Sequence, residues 1–179
     1  MSRSRIAEVQ GSPESQPYKV ETASLAPESL EKLSHPLDSS IRRLATSLGD
    51  RCGLSKVGIH FCRVAPHQST TVVHWHNNDD EWFYIVDAGT SGGTLVIHQE
   101  GDAGPREEPI QTGDFLGFPA GKRNAHAIRA GEQELVYLCG GSRESVDVCR
   151  YPLLQKTLVI DRTEGGNSWF VENKDKEDR

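Results

Sequence analysis

The chain of 179 residues lacks the features that mark several common classes of protein. It has no apolar run long enough to span a bilayer, and its first eight residues lack the apolar core of a secretory leader. Lysine and arginine form no basic stripe, and the net charge is −6. We therefore expect a cytoplasmic protein that partners neither membrane nor nucleic acid.

Cysteine is scarce, and no two cysteines form a C-x-x-C pair. This pattern favours reduced, mostly buried thiols over disulfides or a thiol site. No cysteine stands at a signal spacing from a histidine, and no phosphate-cradling loop occurs. An enzyme built on this chain would therefore depend on a bound metal ion for its chemistry. The four cysteines are Cys52, Cys62, Cys139 and Cys149.

Two short helices are predicted before residue 50. Residues 26–33 form the first candidate, which has a proline near its first turn and another beyond its end. The second begins after an Asp-Ser cap at residues 38–39, carries Ile41, Leu44 and Leu48 on one face, and stops at a glycine. Such a helix would pack outside a sheet or cover a dimer edge.

From residue 55 onward the pattern changes to short strands separated by turn residues. β-Branched and aromatic residues fill the strands, while glycine and proline mark the corners. Many short strands at this spacing are typical of a sandwich or barrel. The predicted strands include residues 57–62, 82–86, 94–98, 125–129, 134–139 and 157–161.

Two histidines stand two residues apart in His74-Trp75-His76, and Glu81 follows five positions later. Their flanks are strand-like, so the two imidazoles point to one face, roughly 6–7 Å apart. Residues 77–80, Asn-Asn-Asp-Asp, are turn formers and should bring Glu81 back beside the rings. Three such donors on one face outline a cation site.

This stretch and a later one resemble the two sequence motifs of the cupin superfamily. The first motif, G(X)5HXH(X)3-4E(X)6G, is matched by His74, His76 and Glu81. The second, G(X)5PXG(X)2H(X)3N, is matched by Gly113, Pro119 and Gly121. The His-x-His stretch is not repeated, which indicates a single barrel.

The resemblance implies an all-β fold, the cupin double-stranded β-helix or jelly-roll barrel, here with short N-terminal helices. It also implies a metal ion held by His74, His76, Glu81 and His126. The chain departs from the motifs in three places. Four residues rather than two separate Gly121 from His126, Ala130 replaces the final asparagine, and Gly89 falls one residue late. We interpret the longer spacer as a variant turn.

A closer likeness, over residues 50–162, is to a group of single-domain, largely uncharacterised cupins. It is specific for the fold and says little about the substrate. The shared features are Cys52–Leu54, His74–His76, Asp80–Glu81, Gly117–Gly121, Gly140–Glu144, Asp147 and Tyr151–Pro152.

Three segments are predicted on this basis. Residues 1–37 form a largely disordered N-terminal segment, because the first 23 are rich in Ser, Glu, Gln and Pro. Residues 38–162 form the cupin barrel with its leading helix. Residues 163–179 form a C-terminal arm with a short apolar anchor at 169–171 and a charged tail. Since terminal strands of cupins often extend a partner's sheet, the resemblance also implies a homodimer.

The expected cofactor is one divalent metal ion. Three imidazoles and one carboxylate leave two open positions on an octahedral ion, which suits Fe or Mn in an active enzyme. Zn, Ni, Co or Cu can occupy the same ligands, because ligand type alone does not choose among them. Without an ion, the two strand histidines would simply be a satisfied pair, an alternative that the register of both motifs disfavours.

Strand alternation places a second set of inward-facing side chains near the ion, and these form a largely apolar candidate pocket. The pocket residues are Phe61, Phe83, Ile85, Phe118, Ile128 and Tyr137. The remaining histidines lack partners at ligand spacing and are interpreted as surface or loop residues. They are His35, His60, His67 and His98.

The favoured function is a metal-dependent, dioxygenase-like oxidoreductase acting on a small organic molecule. Two alternatives stay open, because a fold alone does not define a function. One is a non-catalytic cupin that binds a small ligand. The other is a non-redox metal enzyme, such as an isomerase, decarboxylase or lyase. Beyond the metal ligands, no catalytic residue is predicted.

Overall fold

A computed structural model describes residues 17–163 and 166–173 of the protein. Antiparallel strands make up most of the regular secondary structure of these residues. The strands are β1 (Glu31–His35), β2 (Asp38–Ser47), β3 (Val57–Val64), β4 (Trp75–His76), β5 (Glu81–Asp87), β6 (Gly93–Gln99), β7 (Arg106–Ile110), β8 (Phe115–Phe118), β9 (Asn124–Ala130), β10 (Leu135–Ser142), β11 (Val146–Tyr151), β12 (Lys156–Asp161) and β13 (Asn167–Glu172). One short helix, α1 (Leu48–Arg51), and 3-10 turns at Thr22–Ser24, Pro27–Ser29 and Pro152–Leu154 complete the described elements.

The strands form three antiparallel sheets that close around one interior. The largest has the order β1-β2-β3-β10-β5-β8, the second β13-β12-β11-β4, and the third β7-β6-β9. Single bridges from Ser69 to Arg129 and from His74 to His126 join the segment before β4 to β9. The second and third sheets therefore act as one wall opposite the first, as in a jelly roll, and the predicted all-β fold is confirmed.

Alternate residues of the strands fill the space between the walls. Ile85, Ile128, Leu135 and Tyr137 are almost completely buried there. The apolar cluster extends through the strands on both sides, so the barrel has one continuous core. None of the described helices is long and apolar enough to cross a membrane.

The predicted helix after residue 38 is wrong, because residues 38–47 form β2. This strand pairs with β1 on one side and with β3 on the other. Without it, the backbone N–H and C=O groups along that edge of β3 would lack their strand partners, and pairing overrides a weak helical pattern. Only one helical turn follows, and Ser47 caps it by accepting a hydrogen bond from the N–H of Asp50 at 3.1 Å.

The N-terminal segment also differs from expectation. Residues 26–33 form a 3-10 turn and the start of β1 rather than a helix. β1 lies inside the segment predicted as largely disordered, whereas residues 1–16 of that segment lie outside the described residues. At the other end, the apolar triplet at 169–171 lies in β13, where it pairs with β12, remains partly exposed, and places Phe170 near Tyr151 with ring centroids 6.3 Å apart.

Two glycines let β10 approach the hairpin that carries Glu81. A Cβ atom on Gly140 would lie 2.5 Å from Cζ2 of Trp82, and one on Gly141 would lie 2.1 Å from the carbonyl oxygen of Asp80. The same carbonyl accepts a hydrogen bond from the N–H of Ser142 at 3.1 Å. The start of β5 is therefore held against β10 at a distance that only glycine permits.

Replacing Gly141 by alanine should push the Asp80 carbonyl away from β10 and lower the free energy of unfolding by about 1–3 kcal/mol. Urea unfolding would measure the change. Gly104→Ala is the matched control, because a Cβ atom there meets nothing within 4 Å. Its effect should stay within about 0.5 kcal/mol. Equal midpoints for the two variants would contradict the close approach at Gly141.

Candidate metal centre

The structure brings together the four side chains that the cupin motifs imply as ligands. One carboxylate oxygen, Oε2 of Glu81, lies 2.9 Å from Nε2 of His126, 3.6 Å from Nε2 of His76 and 3.7 Å from Nε2 of His74. The Nε2 atoms of His74 and His76 are 3.1 Å apart. The four residues come from two walls of the barrel and meet in its interior.

Local backbone pairing sets these positions. His74 and His126 exchange two backbone hydrogen bonds, at 3.2 and 2.8 Å, so their rings leave adjacent chains side by side. His76 follows in β4, and Glu81 opens β5 after the turn at 77–80. The carboxylate of Asp147 holds that turn in place. It accepts hydrogen bonds from the backbone N–H groups of Asn78 and Asp79, at 2.9 and 3.2 Å.

Each imidazole donates its Nδ1–H away from the centre. His74 donates to the carbonyl of Val72 at 2.9 Å, and His126 donates to that of Asn124 at 3.1 Å. His76 donates to the Asp147 carboxylate at 2.6 Å. With each Nδ1 carrying the proton, the three Nε2 atoms present lone pairs to one another and to Glu81. Convergent lone pairs repel unless a cation lies between them, so this donor set fits a metal ion.

Burial and hydrogen bonding tune the ionisation of the cluster. Burial lowers the pKa of His74 to about 3, so its ring is neutral at pH 7. Burial alone would raise the pKa of Glu81. In the metal-free protein, a hydrogen bond from Nε2 of His126 when that atom is protonated, and then the charge of protonated imidazoles, outweigh burial and bring the pKa of Glu81 to about 2. A neutral imidazole and an ionised carboxylate are the forms that coordinate cations.

Strand β11 forms a supporting layer that the sequence analysis missed. Its inward-facing residues Asp147, Cys149 and Tyr151 are all buried. Asp147 orients His76, and Tyr151 stacks on His74 with ring centroids 5.6 Å apart. The alternation of Asp147, Cys149 and Tyr151 was the available signal, but their mixed polarity hid the strand.

Asp147 is well placed to stay ionised. Burial by itself would raise its pKa, but the hydrogen bond with His76 and those from two backbone N–H groups outweigh burial and bring the pKa to about 2. The same contact also affects His76. Burial lowers the pKa of His76, but the hydrogen bond with Asp147 and the charge of Glu81 outweigh burial and raise it. The His76–Asp147 contact is thus a charge-assisted hydrogen bond.

A cavity of about 180 Å³ opens onto this cluster, and most of its lining residues carry polar side chains. Its lining residues are Gly58, His60, His76, Asp79, Asp80, Glu81, Cys139, Gly140, Gly141, Ser142, Arg143 and Arg162. His60 therefore lies half-buried on β3 beside the centre, and its interpretation as a surface or loop histidine is wrong. Burial, and then the charge of Arg43, lower its pKa, which keeps the ring neutral at neutral pH.

The residues predicted to form an apolar pocket lie in the barrel wall and core and do not line this cavity. The ring of Phe118 stacks on His126, with centroids 3.4 Å apart, and Phe83 meets the same ring edge-on at 5.7 Å. The other four predicted pocket residues are buried in the barrel wall and core, and none of the six lines the cavity described above. The six are Phe61, Phe83, Ile85, Phe118, Ile128 and Tyr137. Phe83 and Phe118 therefore pack against His126, and none of the six residues lines the cavity.

Comparison with known proteins gives a consistent assignment. The chain is 31% identical to a protein of Acidithiobacillus ferrooxidans that carries the provisional name sugar phosphate isomerase, with a TM-score of 0.72 over 86% of this chain and 91% of the other. A sugar phosphate isomerase of the cupin superfamily from Silicibacter pomeroyi is 24% identical, with a TM-score of 0.65 over 81% and 89%. No protein-family profile matches the chain, and no curated protein matches it significantly.

The polyketide cyclase RemF of Streptomyces resistomycificus shares the fold, with 19% identity and a TM-score of 0.50 over 66% of this chain and 78% of the other. An antiparallel barrel with three imidazoles and a carboxylate at its centre defines a class of metal-binding β-barrel proteins. The chain belongs to the cupin superfamily. A cupin with this site is an enzyme or binds a small ligand, and its grouped donors can hold a metal ion.

Replacing Asp147 by asparagine should weaken metal binding about 10- to 100-fold, because His76 loses the anionic partner that orients its ring. Competition with a chromophoric chelator, using Zn²⁺ or Co²⁺, would measure the affinity. Asp102→Asn is the control, since that carboxylate also accepts a backbone hydrogen bond but lies in an exposed loop. Equal metal affinities for the two variants would show that Asp147 does not support metal binding.

The metal-free protein should lose stability as the pH falls below about 6.5. An unfolded histidine takes up a proton there, whereas folded His74 stays neutral until about pH 3. The unfolded chain therefore binds more protons, and His74 alone should lower the free energy of unfolding by roughly 1.4 kcal/mol per pH unit between about pH 6 and 4. The raised pKa of His76 acts the other way, since its stabilisation is lost as the pH rises.

Urea unfolding in the presence of a chelator, at several pH values, would measure this slope. His74→Gln should reduce it by about one proton, and His67→Gln, on an exposed histidine, is the matched control. An unchanged slope in the His74 variant would show that this ring is not held neutral by burial.

Proposed function

We propose that the protein is a metal-dependent enzyme that isomerises a small, polyhydroxylated, anionic molecule such as a sugar phosphate, with the ion held by His74, His76, Glu81 and His126. One observation carries the proposal: the same cavity is lined by the metal-ligand side chains of His76 and Glu81 and by His60, Arg143 and Arg162. The name of the relative that is 31% identical points to the same chemistry.

The cavity's size and lining favour such a substrate. Its volume of about 180 Å³ lies below the roughly 300 Å³ of pockets that hold drug-sized ligands. Gly58, Gly140 and Gly141 leave bare backbone on one side, which suits a molecule rich in hydroxyl groups. The six predicted apolar residues do not line the cavity, whereas His60, Ser142, Arg143 and Arg162 offer hydrogen-bonding groups there.

Two guanidinium groups supply positive charge at the cavity. Arg162 donates to the buried carboxylate of Asp79 at 2.7 Å, which uses part of its donor fork. Arg143 contacts Asp50 at 2.7 Å, but that carboxylate is 56% exposed and screened by water. A guanidinium carries five N–H donors, so Arg143 keeps several for an anionic group of the substrate.

His60 has the properties of a proton carrier for isomerisation. In isomerisation through an enediol, a base removes a proton from one carbon and returns it to the next, while the hydroxyl proton passes to the former carbonyl oxygen. A neutral imidazole accepts the carbon-bound proton, and the lowered pKa of His60 keeps it neutral at neutral pH. When bound, a divalent ion would supply Lewis-acid polarisation of the substrate oxygen. Arg143 would then orient the anionic end.

Oxygenase chemistry is the second candidate. It is favoured by the ligand set itself, because three imidazoles and one carboxylate leave positions at which Fe or Mn can bind both substrate and oxygen. The two candidates differ in their need for oxygen, which makes them separable by experiment. A cupin that binds a ligand without turnover is the third outcome of the same test.

Protein loaded in turn with Fe, Mn, Co, Ni or Zn should convert a member of a sugar-phosphate panel to its isomer without oxygen, as followed by anaerobic NMR. His60→Asn should lower kcat by about 10²- to 10⁴-fold while metal content stays constant. The control is His67→Asn, on an exposed histidine.

The outcomes separate the candidates. Turnover that requires and consumes oxygen would favour the oxygenase. Ligand-dependent melting without product would favour a binding protein. Turnover that survives His76→Ala would exclude a reaction at the metal centre.

A further inference from the structure

We propose that Cys149 is an additional ligand of the metal ion, so that the centre combines nitrogen, oxygen and sulfur donors. The inference rests on the proposed metal site and adds a residue that the cupin motifs do not contain. The motif resemblance places three histidines and one glutamate around the ion and assigns no cysteine. The geometry points to a thiol as a fifth group.

Strand pairing places the thiol at the centre. Cys149 lies opposite His76 where β11 pairs with β4. In antiparallel sheets the side chains of such partners leave the same face with Cβ atoms about 4.5–5.5 Å apart. The Sγ atom lies within 4.8 Å of a ring nitrogen of His74 and of His76, and those two nitrogens lie within the same distance of each other. The sulfur thus lies beside two of the four proposed ligands, and His74 also belongs to the group that contains Glu81 and His126.

The separations suit an ion of ordinary size. A divalent ion such as Zn²⁺ bonds nitrogen at about 2.0–2.1 Å and sulfur at about 2.3 Å, which allows a nitrogen–sulfur separation of at most about 4.4 Å. The sulfur and the two ring nitrogens lie within 4.8 Å of one another, so binding one ion requires them to lie no farther apart than this geometry allows.

The surroundings of Cys149 separate it from the other cysteine near the centre. Cys149 is 2% exposed and lies between Asp147 and Tyr151, the two inward-facing residues that hold His76 and His74. Cys139 lines the cavity, but its sulfur contacts that of Cys62 at 3.8 Å. Cys139 is therefore the natural comparison for any measurement on Cys149.

A thiolate would change which ion the centre holds. Glu81 and a Cys149 thiolate together balance the charge of a divalent ion, and the thiol proton leaves to solvent as the ion binds. Sulfur donors favour the softer ions Co, Ni, Cu, Zn and Fe over Mn, which prefers oxygen. Ligand type led us to expect Fe or Mn. A sulfur ligand would favour Fe over Mn.

Cobalt substitution of the full chain tests the assignment. With one Co²⁺ bound, wild-type protein and Cys139→Ser should show a thiolate-to-cobalt charge-transfer absorption in the near ultraviolet. Cys149→Ser should bind cobalt without that absorption. The preference for Cd²⁺ over Mn²⁺, measured by chelator competition, should fall by about tenfold or more in the Cys149 variant and stay unchanged in the Cys139 variant.

Each result decides the matter. A charge-transfer absorption that persists in Cys149→Ser, or is absent from wild-type protein with cobalt bound, would overturn the role of Cys149 and leave the His–Glu centre intact. Failure of wild-type protein to bind any of these ions would overturn the centre and the proposed function together.

If Cys149→Ser does not fold, X-ray absorption of zinc-loaded Cys139→Ser gives the answer. A sulfur shell at about 2.3 Å supports the inference, and a shell of nitrogen and oxygen alone overturns it.

Discussion

The centre depends on one constraint: three imidazoles donate their Nδ1 protons outward and turn their Nε2 lone pairs inward. Two of the acceptors are backbone carbonyls only two residues before each histidine, at Val72 and Asn124. The third is the carboxylate of Asp147, supplied by a different strand. Local chain geometry and one long-range contact thus set the same tautomer in all three rings, and Glu81 meets them from the opposite wall.

The surroundings of these rings differ on two sides of the barrel: one side is packed with apolar side chains, and the other opens onto the cavity. Phe118 and Phe83 close against His126, while glycines and charged side chains open the cavity near His76 and Glu81. The packed side fixes the orientation of the His126 ring, and the cavity side leaves room for a small polar molecule. This asymmetry follows from strand order, because β10 brings its two glycines to the rim and β9 brings its apolar face to the core.

The sequence predicts the barrel and the four converging side chains because both depend on local spacing: alternation for the strands, His-x-His and the four-residue turn for Glu81. It does not predict β2, whose identity depends on pairing with β3 rather than on its own helical pattern. It also gives no site role to His60, or to Asp147, which it names only as a feature shared with related cupins. Each joins the site through contacts with residues distant in the chain. Contacts between distant parts of the chain produce no periodic pattern in the sequence.

The hidden strand β11 has the largest consequence for chemistry. Its three inward positions hold an acid, a thiol and a phenol, whereas a barrel strand with no role at the centre would carry aliphatic side chains there. Burying Asp147 is costly unless it is paired, and its partners are a ligand ring and the turn before Glu81. Since two of the three positions already serve the histidines, the sulfur between them is best understood as part of the same centre.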